Sequence, residues 1–392
     1  MVGARPNFIK IAPLIERLKV TNKIKKNKDI NYILVHTGQH YQYEMSKVFF
    51  EDLELPKPDI YLRIGSGSHA LQTARIMSAF EKVCVQEKPD LVVVVGDVNS
   101  TIACTLVAVK LKIKTAHIEA GLRSYDRSMP EEINRILTDS ISDYLFTTCE
   151  DANENLKKEG VDEKRIFFVG NVMIDTLIKS KEKAKNSCIL ESLNLINHWH
   201  GFLNSDYVVR DYAVLTLHRP SNVDNKETFQ RIIEALREIS KHIPIVFPVH
   251  PRTLKMINTY SFQDYFFFCQ MSQRKKVNIT NSINIIDPFG YLDFLKFMSH
   301  SKFILTDSGG IQEESTILGI PCLTLRENTE RPITITEGTN TLVGCDPTKI
   351  LEESINIING NGKKGRMPNL WDGRAAERIV KILVENYTNQ QT

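Results

Sequence analysis

The chain has 392 residues, 42% of them hydrophobic and 25% charged, with a formal net charge of +3. That length exceeds what a single core usually fills, so two domains are expected. The scattered charge argues against a nucleic-acid groove, with the small basic group at 23–28 reading as a solvated face, and no run of about 18 apolar residues offers a membrane span.

The first residues are unusual. Gly3-Ala4-Arg5-Pro6-Asn7 reads as the loop after an opening strand, yet only Met1 and Val2 precede it. A truncated or mis-started sequence is the preferred explanation, and a variant lacking the strand is the other. No signal-peptide pattern is visible there. Arg5 and Lys10 add positive charge to this loop.

Strands are expected at 32–36 and 91–95, with a helix at 70–84 between them. The continuous valines at 92–95 suit a strand covered on both faces. Asp97 follows in Gly96-Asp97-Val98-Asn99-Ser100-Thr101, where it either faces a cleft or caps a helix at 101–111; Ser100 is expected to be a cap. After a strand at 115–118 comes His117-Ile118-Glu119-Ala120-Gly121-Leu122-Arg123. Burying an unpaired, ionised Glu119 would cost several kcal/mol, so it needs a partner or a task, and Arg123 is the nearest candidate. Pro130 suits the first position of a helix at 130–142. Glu131 and Glu132 sit in its first turn, where the helix dipole favours acids, so on this motif alone they are ordinary.

Strands at 144–147 and 166–169 precede a Lys- and Ser-rich helix and an irregular stretch at 194–211, and the domain division is expected between 170 and 210. His198-Trp199-His200 offers only two ligands in a loop, so no metal is expected. Strands at 213–217 and 245–249 end in His218-Arg219 and His250-Pro251-Arg252, with a helix at 229–239 between them. These groups suit a pyrophosphate or a proton transfer, or else a solvated loop. A strand at 283–286 and a helix at 291–298 lead to the strand at 303–305. There Thr306-Asp307-Ser308-Gly309-Gly310-Ile311-Gln312-Glu313-Glu314 forms a small-residue turn into a helix. The glycines allow close approach of a ligand, the helix start favours an anion, and Glu314 is placed to accept hydrogen bonds from sugar hydroxyls. An ordinary strand-to-helix turn is the alternative. After a strand at 322–325, Arg331 either clamps phosphate or pairs internally with Glu330 or Glu327.

This alternation indicates two doubly wound α/β domains facing a cleft, with ligands at the carboxyl ends of the strands. The seven cysteines (Cys84, Cys104, Cys149, Cys188, Cys269, Cys322, Cys345) are dispersed, which suits free thiols in a reducing cytosol.

Several segments occurring in order carry a resemblance: 3–10 (Gly-Ala-Arg-Pro-Asn-Phe-Ile-Lys), 37–40 (Thr-Gly-Gln-His), Gly96-Asp97, 117–123, 130–135 (Pro-Glu-Glu-Ile-Asn-Arg), 307–314 and Thr329-Glu330-Arg331-Pro332. The chain resembles the non-hydrolysing UDP-N-acetylglucosamine 2-epimerases from residue 3 to about 380. The resemblance implies a glycosyltransferase-B-like fold. Residues 1–172, joined by a C-terminal helix at 376–392 crossing back, would carry catalytic carboxylates, and 173–375 would bind UDP. Asp97, Glu119, Glu131 and His218 match catalytic or cleft positions. Arg5, Lys10, Ser308, Gly309, Gly310, Glu314 and Arg331 match substrate-side positions. Gln39, Gln42 and His250 match a region where some members bind a second substrate molecule as activator, although no basic residue stands beside Gly65-Ser66-Gly67. The segment Gly65-Ser66-Gly67-Ser68-His69 resembles a branch acting on modified sugars such as UDP-2,3-diacetamido-2,3-dideoxyglucuronic acid, whereas Thr329-Glu330-Arg331-Pro332 resembles the plain N-acetylglucosamine branch. A hydrolysing epimerase, a glycosyltransferase and a catalytically dead sugar-nucleotide binder are the other readings. The implied protein is a cytoplasmic homodimer of isomerase type. It needs a UDP-sugar but no cofactor, metal, nucleic acid or membrane.

Overall fold

In a computed structural model that describes residues 1–3, 5–24, 30–38, 52–198, 207–269 and 277–389, strand pairing begins at the second residue. Val2 forms a parallel bridge with His36; its amide donates to Val35 and its carbonyl accepts from Thr37, each at 3.0 Å. The Met1 ammonium donates to the Val93 carbonyl at 2.9 Å, and burial lowers its pKa. Val2 therefore lies between strand β1 (Val35–His36), which pairs with β2 (Ile60–Tyr61), and strand β3 (Leu91–Val95). Beyond β3 run β4 (Lys114–Ala120), β5 (Tyr144–Thr147) and β6 (Ile166–Phe168), all parallel.

Helices cover these strands. They are α1 (Arg5–Ile24), α2 (His69–Glu87), α3 (Asn99–Lys110), α4 (Pro130–Ile141), α5 (Glu150–Lys158) and α6 (Val172–Ala184). The buried residues of α2 are Gln72, Ile76, Phe80 and Cys84, a four-residue spacing that puts one stripe on the core. Ile76, Phe80 and Cys84 pack with Val92, Val94, Ala103, Cys104 and Val107. The chain forms two units, Met1–Lys179 with Pro368–Thr392, and Ser180–Met367. The expected boundary at 172/173 falls at the start of α6, whose last turn enters the second unit.

The second unit holds a short antiparallel pair, β7 (Ile196–His198) and β8 (Tyr207–Val209), in the stretch expected to be irregular. Strand-forming Ile196, Tyr207, Val208 and Val209 explain it. A parallel seven-stranded sheet follows: β9 (Ala213–Thr216), β10 (Ile245–Pro248), β11 (Phe267–Phe268), β12 (Ile283–Ile286), β13 (Phe303–Thr306), β14 (Cys322–Thr324) and β15 (Asn340–Leu342). Its order is β11-β12-β10-β9-β13-β14-β15. Winding therefore reverses between β9 and β13, and in open α/β sheets ligands bind at that reversal. The flanking helices include α7 (Lys226–Ser240), α8 (Pro251–Tyr260), α9 (Tyr291–Ser299), α10 (Gly309–Leu318) and α11 (Pro347–Ile358). The last helix, α12 (Ala375–Asn389), belongs to the first unit. Asp175 caps it, accepting from the amides of Ala375 at 3.1 Å and Ala376 at 2.7 Å; Arg17 reaches its Glu377 at 2.9 Å.

Candidate active site

In the first unit the chemistry collects where β3 and β4 end. Glu119 sits in β4 at a register shift between Ile118 and Ala120. Its φ is +74°, a left-handed conformation that a side chain disfavours. Glu119 is buried and ion-paired with buried Lys10 from α1. Arg123, the expected partner, instead joins Asp139 at 2.7 Å and Glu159 at 2.6 Å. The bulge accounts for the difference, because an irregular residue leaves the simple strand alternation on which side-chain direction depends. Gly96 has φ +70°, and a Cβ there would lie 3.2 Å from Asn7 Nδ2 and Lys10 Nζ and 3.3 Å from Glu119 Oε2. Only glycine accommodates both the dihedral and the crowding.

Asp97 pairs with Arg135 at 2.5 Å, and its carbonyl accepts from Asn134 at 2.8 Å. Neither Asp97 nor Ser100 caps a helix: α3 starts after Val98 without a side-chain cap, and the Ser100 hydroxyl meets that of Thr37 at 2.8 Å. Helix α4 buries Glu132, Asn134, Arg135, Thr138 and Asp139, an unusually polar face whose groups all need partners. Glu132 accepts from the amides of Ser124 (3.0 Å) and Tyr125 (2.8 Å) and from Arg135 (2.7 Å). Burial alone would raise its pKa; the Ser124 amide, Arg135 and the Tyr125 amide together hold it below the usual carboxylate range. Glu132 thus organises the loop after β4, a role its place in a first helical turn concealed. Glu131 is half-buried at the same helix start, with Pro130 at the first position as expected.

In the second unit, Asp307 stands at the end of β13 and is fully buried. It accepts from the amides of His218 at 2.9 Å and Arg219 at 2.7 Å. Its other oxygen lies 3.0 Å from His218 Nδ1. The turns after β9 and β13 are thereby tied together at the reversal point. Burial opposes ionisation of Asp307, but His218 and the two amides outweigh it and lower the pKa. A lowered folded pKa gives stability that is present above the unfolded value of about 3.8 and lost as pH falls through the folded one. Replacing His218 with Gln removes the imidazole that helps to lower the Asp307 pKa. The acid limb of the unfolding curve, followed by circular dichroism against pH, is expected to move to higher pH; an unmoved limb would contradict the pairing.

Ser308 precedes α10 without a side-chain cap bond. At Gly309 the space a Cβ would fill is occupied by the Arg331 guanidinium and Glu330, so this glycine makes room for the protein's own charges. Arg331 pairs with Glu330 at 2.5 Å and Glu313 at 2.8 Å, and Arg326 with Glu330 at 2.8 Å. Arg219 is 3.9 Å from Glu330. These charges gather beside Gly309 at the helix start. Buried Glu314 accepts from the Tyr291 hydroxyl at 3.0 Å. Burial pushes its carboxyl up to about 7, opposed by Tyr291 and reinforced by Glu313. His250 caps α8 by accepting from the Arg252 amide at 3.2 Å, with its ring 5.7 Å from that of His218. Gln39 and Gln42 lie outside the described residues, as does the side chain of Arg5, which opens α1. Among the described residues no group of three or more His, Cys, Asp or Glu is placed to hold a metal ion, and no helix is long and apolar enough to cross a membrane.

The sequence profile of the family described as UDP-N-acetylglucosamine 2-epimerase matches residues 22–384. The UDP-N-acetylglucosamine 2-epimerase of Methanocaldococcus jannaschii is 44% identical over 385 residues, 98% of this chain and 97% of that protein. The UDP-2,3-diacetamido-2,3-dideoxy-D-glucuronate 2-epimerase of Pseudomonas aeruginosa is 40% identical over 388 residues, 98% of each. The crystal structure of the Methanocaldococcus jannaschii UDP-GlcNAc 2-epimerase in complex with UDP-GlcNAc and UDP is similar with a TM-score of 0.83, at 43% identity and 98% coverage of both chains. Family profile, near-complete relatives and fold all agree: the chain belongs to the UDP-N-acetylglucosamine 2-epimerase family of isomerases.

Proposed function

We propose that the protein interconverts UDP-N-acetylglucosamine and UDP-N-acetylmannosamine without net hydrolysis. The observation that carries this reading is Glu119: a buried carboxylate paired with Lys10 and kept on a disfavoured backbone conformation, an arrangement that persists where surrounding structure enforces it and that clusters at functional sites. The similarity to a structure described as bound to UDP-GlcNAc and UDP supports the substrate.

In the proposed reaction a carboxylate takes the proton from C2 of the sugar. The C2–H electrons form a C1–C2 double bond as the C1–O bond breaks, its pair leaving with UDP. The 2-acetamidoglucal so formed receives a proton at C2 on the opposite face, and UDP returns to C1. Asp97, Glu119 and Glu131 are the proton-transfer candidates. Arg5 and Lys10 in the first unit, and His218, Arg331 and the Ser308-Gly309-Gly310 turn in the second, are the candidate substrate-side groups, and Glu314 is the candidate acceptor for the ribose. The chemistry is redox-neutral overall and asks for no added oxidant. His250, with Gln39 and Gln42, is the proposed place for an activating second substrate. A nucleotide-sugar substrate and buried free thiols at Cys84, Cys104, Cys149 and Cys322 favour the cytoplasm. A homodimer supplying cell-surface polysaccharide synthesis completes the proposal.

A second reading is the 2-epimerisation of a UDP-diacetamidouronate, favoured by the Pseudomonas aeruginosa relative and by His69, whose ring contacts Asn99 at 3.1 Å two residues from Asp97. With UDP-N-acetylglucosamine in deuterated water, deuterium is expected at C2 of both epimers, with UDP attached. Accumulation of UDP and free sugar would instead establish a hydrolase. Exchange only with the diacetamidouronate would establish the second reading. No exchange with either sugar would remove the epimerase function.

A further inference from the structure

His117 lies on β4 two residues before Glu119 and is fully buried. Its Nδ1 is 2.6 Å from Asp139 Oδ1, and its Nε2 is 2.8 Å from the carbonyl oxygen of Gly96. A backbone carbonyl can only accept a hydrogen bond, and so can an ionised carboxylate. Asp139 behaves as ionised: its other oxygen accepts from the Gly121 amide at 3.0 Å and from Arg123 at 2.7 Å. Burial would raise its pKa, yet His117 and Arg123 leave it lowered. A neutral imidazole would point a lone pair at one of these two oxygens, at a distance where that contact is repulsive. With an acceptor on each side, this geometry suits a ring that donates from both nitrogens.

We propose that His117 is a buried imidazolium that clamps the Gly96 carbonyl and so positions the Asp97 turn against Glu119. Charge balance permits it. His117 and Arg123 carry two positive charges, and Asp139 and Glu159, which Arg123 also binds, carry two negative ones. On the other side of Gly96 stands the internally balanced pair of Lys10 and Glu119. The clamp has a clear task. Gly96 has no side chain and sits at φ +70°, so sterics alone hold its peptide weakly. The next residue is Asp97. The imidazolium bond to Gly96, the Asn7 bond to Val95 at 2.8 Å and the Asn134 bond to Asp97 fix three successive carbonyls in one orientation. Asp139 extends the same framework to the turn after Glu119 through the Gly121 amide.

The positioning role rests on the epimerase reading, whereas the protonation of the ring does not. Nitrogen NMR of the intact protein, labelled at histidine, separates the two. At pH 7.5 both nitrogens of one histidine are expected to show a directly bonded proton, in a signal lost from His117→Gln. Should that variant not fold, the signal is recognised by its slow exchange with deuterium, since the ring is fully buried. A neutral tautomer at this site would overturn the proposal. Folded His117→Gln is expected to lose about 100-fold in kcat for C2 exchange, the scale of a displaced catalytic group, with KM for the UDP-sugar within about twofold of the parent. An unchanged kcat in the folded variant, or a loss confined to KM, would overturn the positioning role. If the parent protein itself exchanges no C2 proton, the epimerase reading fails, and the ring signals still decide whether the imidazolium exists.

Discussion

Glu119→Gln is expected to lower C2 proton exchange by about 10³-fold, within the range general acid–base catalysis contributes, while UDP binding is retained. Glutamine is nearly the same shape but cannot take a proton, so a fall in exchange reports chemistry. The variant has a second, separable effect. Lys10 is buried against Glu119, and removing one member of a buried ion pair typically costs about 3–5 kcal/mol because the other charge is left without compensation. A drop in the melting temperature is therefore expected alongside the lost activity. The double variant Lys10→Met, Glu119→Gln removes both charges and is expected to recover most of that thermal loss and none of the exchange. Deuterium incorporation by NMR, calorimetric melts and UDP titration calorimetry read the three quantities separately. Turnover unchanged in folded Glu119→Gln would take Glu119 out of the mechanism. Exchange restored in the double variant would show that the single variant's defect was one of folding.

The elements that were legible in the sequence are those with a period or a punctuation mark. The valine run, the four-residue stripe of α2 and Pro130 at the start of α4 all encode their structure locally. The doubly wound architecture followed from that alternation. What was hidden depends on pairs far apart in the chain or on backbone irregularity. Lys10 and Glu119 are 109 residues apart, and the bulge that brings them together has no composition signal. Ser100 looked like a cap because serine is a good one, but tertiary contact with Thr37 claims its hydroxyl. At Gly309 the space a Cβ would fill is taken by Arg331 and Glu330, neighbours that only the fold brings there. A sign of the polar core of the first unit was present all along: the buried positions of α4 fall on Glu132, Arg135 and Asp139, where an ordinary amphipathic helix would place apolar residues. Such a helix either faces solvent on that side or supports a built polar site.

Glu314→Gln is expected to make the protein more stable at pH 8 and a poorer binder of UDP. The Glu314 carboxyl is raised from 4.5 to about 7, chiefly by burial. A raised folded pKa means that the protonated form is the one favoured by folding. The contribution is fully present below about pH 4.5 and is lost as pH rises through about 7. Each pH unit between the two values is worth about 1.4 kcal/mol, so ionising this group at pH 8 costs the fold about 3 kcal/mol. Glutamine has no such titration, and its amide oxygen still accepts the Tyr291 hydroxyl that now meets Glu314 at 3.0 Å. Melting temperatures are expected to rise by several degrees at pH 8, at about 2–4 °C per kcal/mol for a unit of this size, and to match the parent below pH 4.5. The binding loss follows from the same chemistry. A carboxylate presents two acceptors, whereas the amide presents one acceptor and turns a donor toward the ribose hydroxyls, so a loss of about tenfold in UDP affinity is expected, the scale of one hydrogen bond to a charged group. Equal melting temperatures of parent and variant at pH 8 would show that Glu314 is not held against its ionisation. Higher stability with unchanged UDP affinity would remove it from the nucleotide site. Both changes together would mean that this carboxylate is kept at the expense of stability because its second oxygen is needed for the ligand.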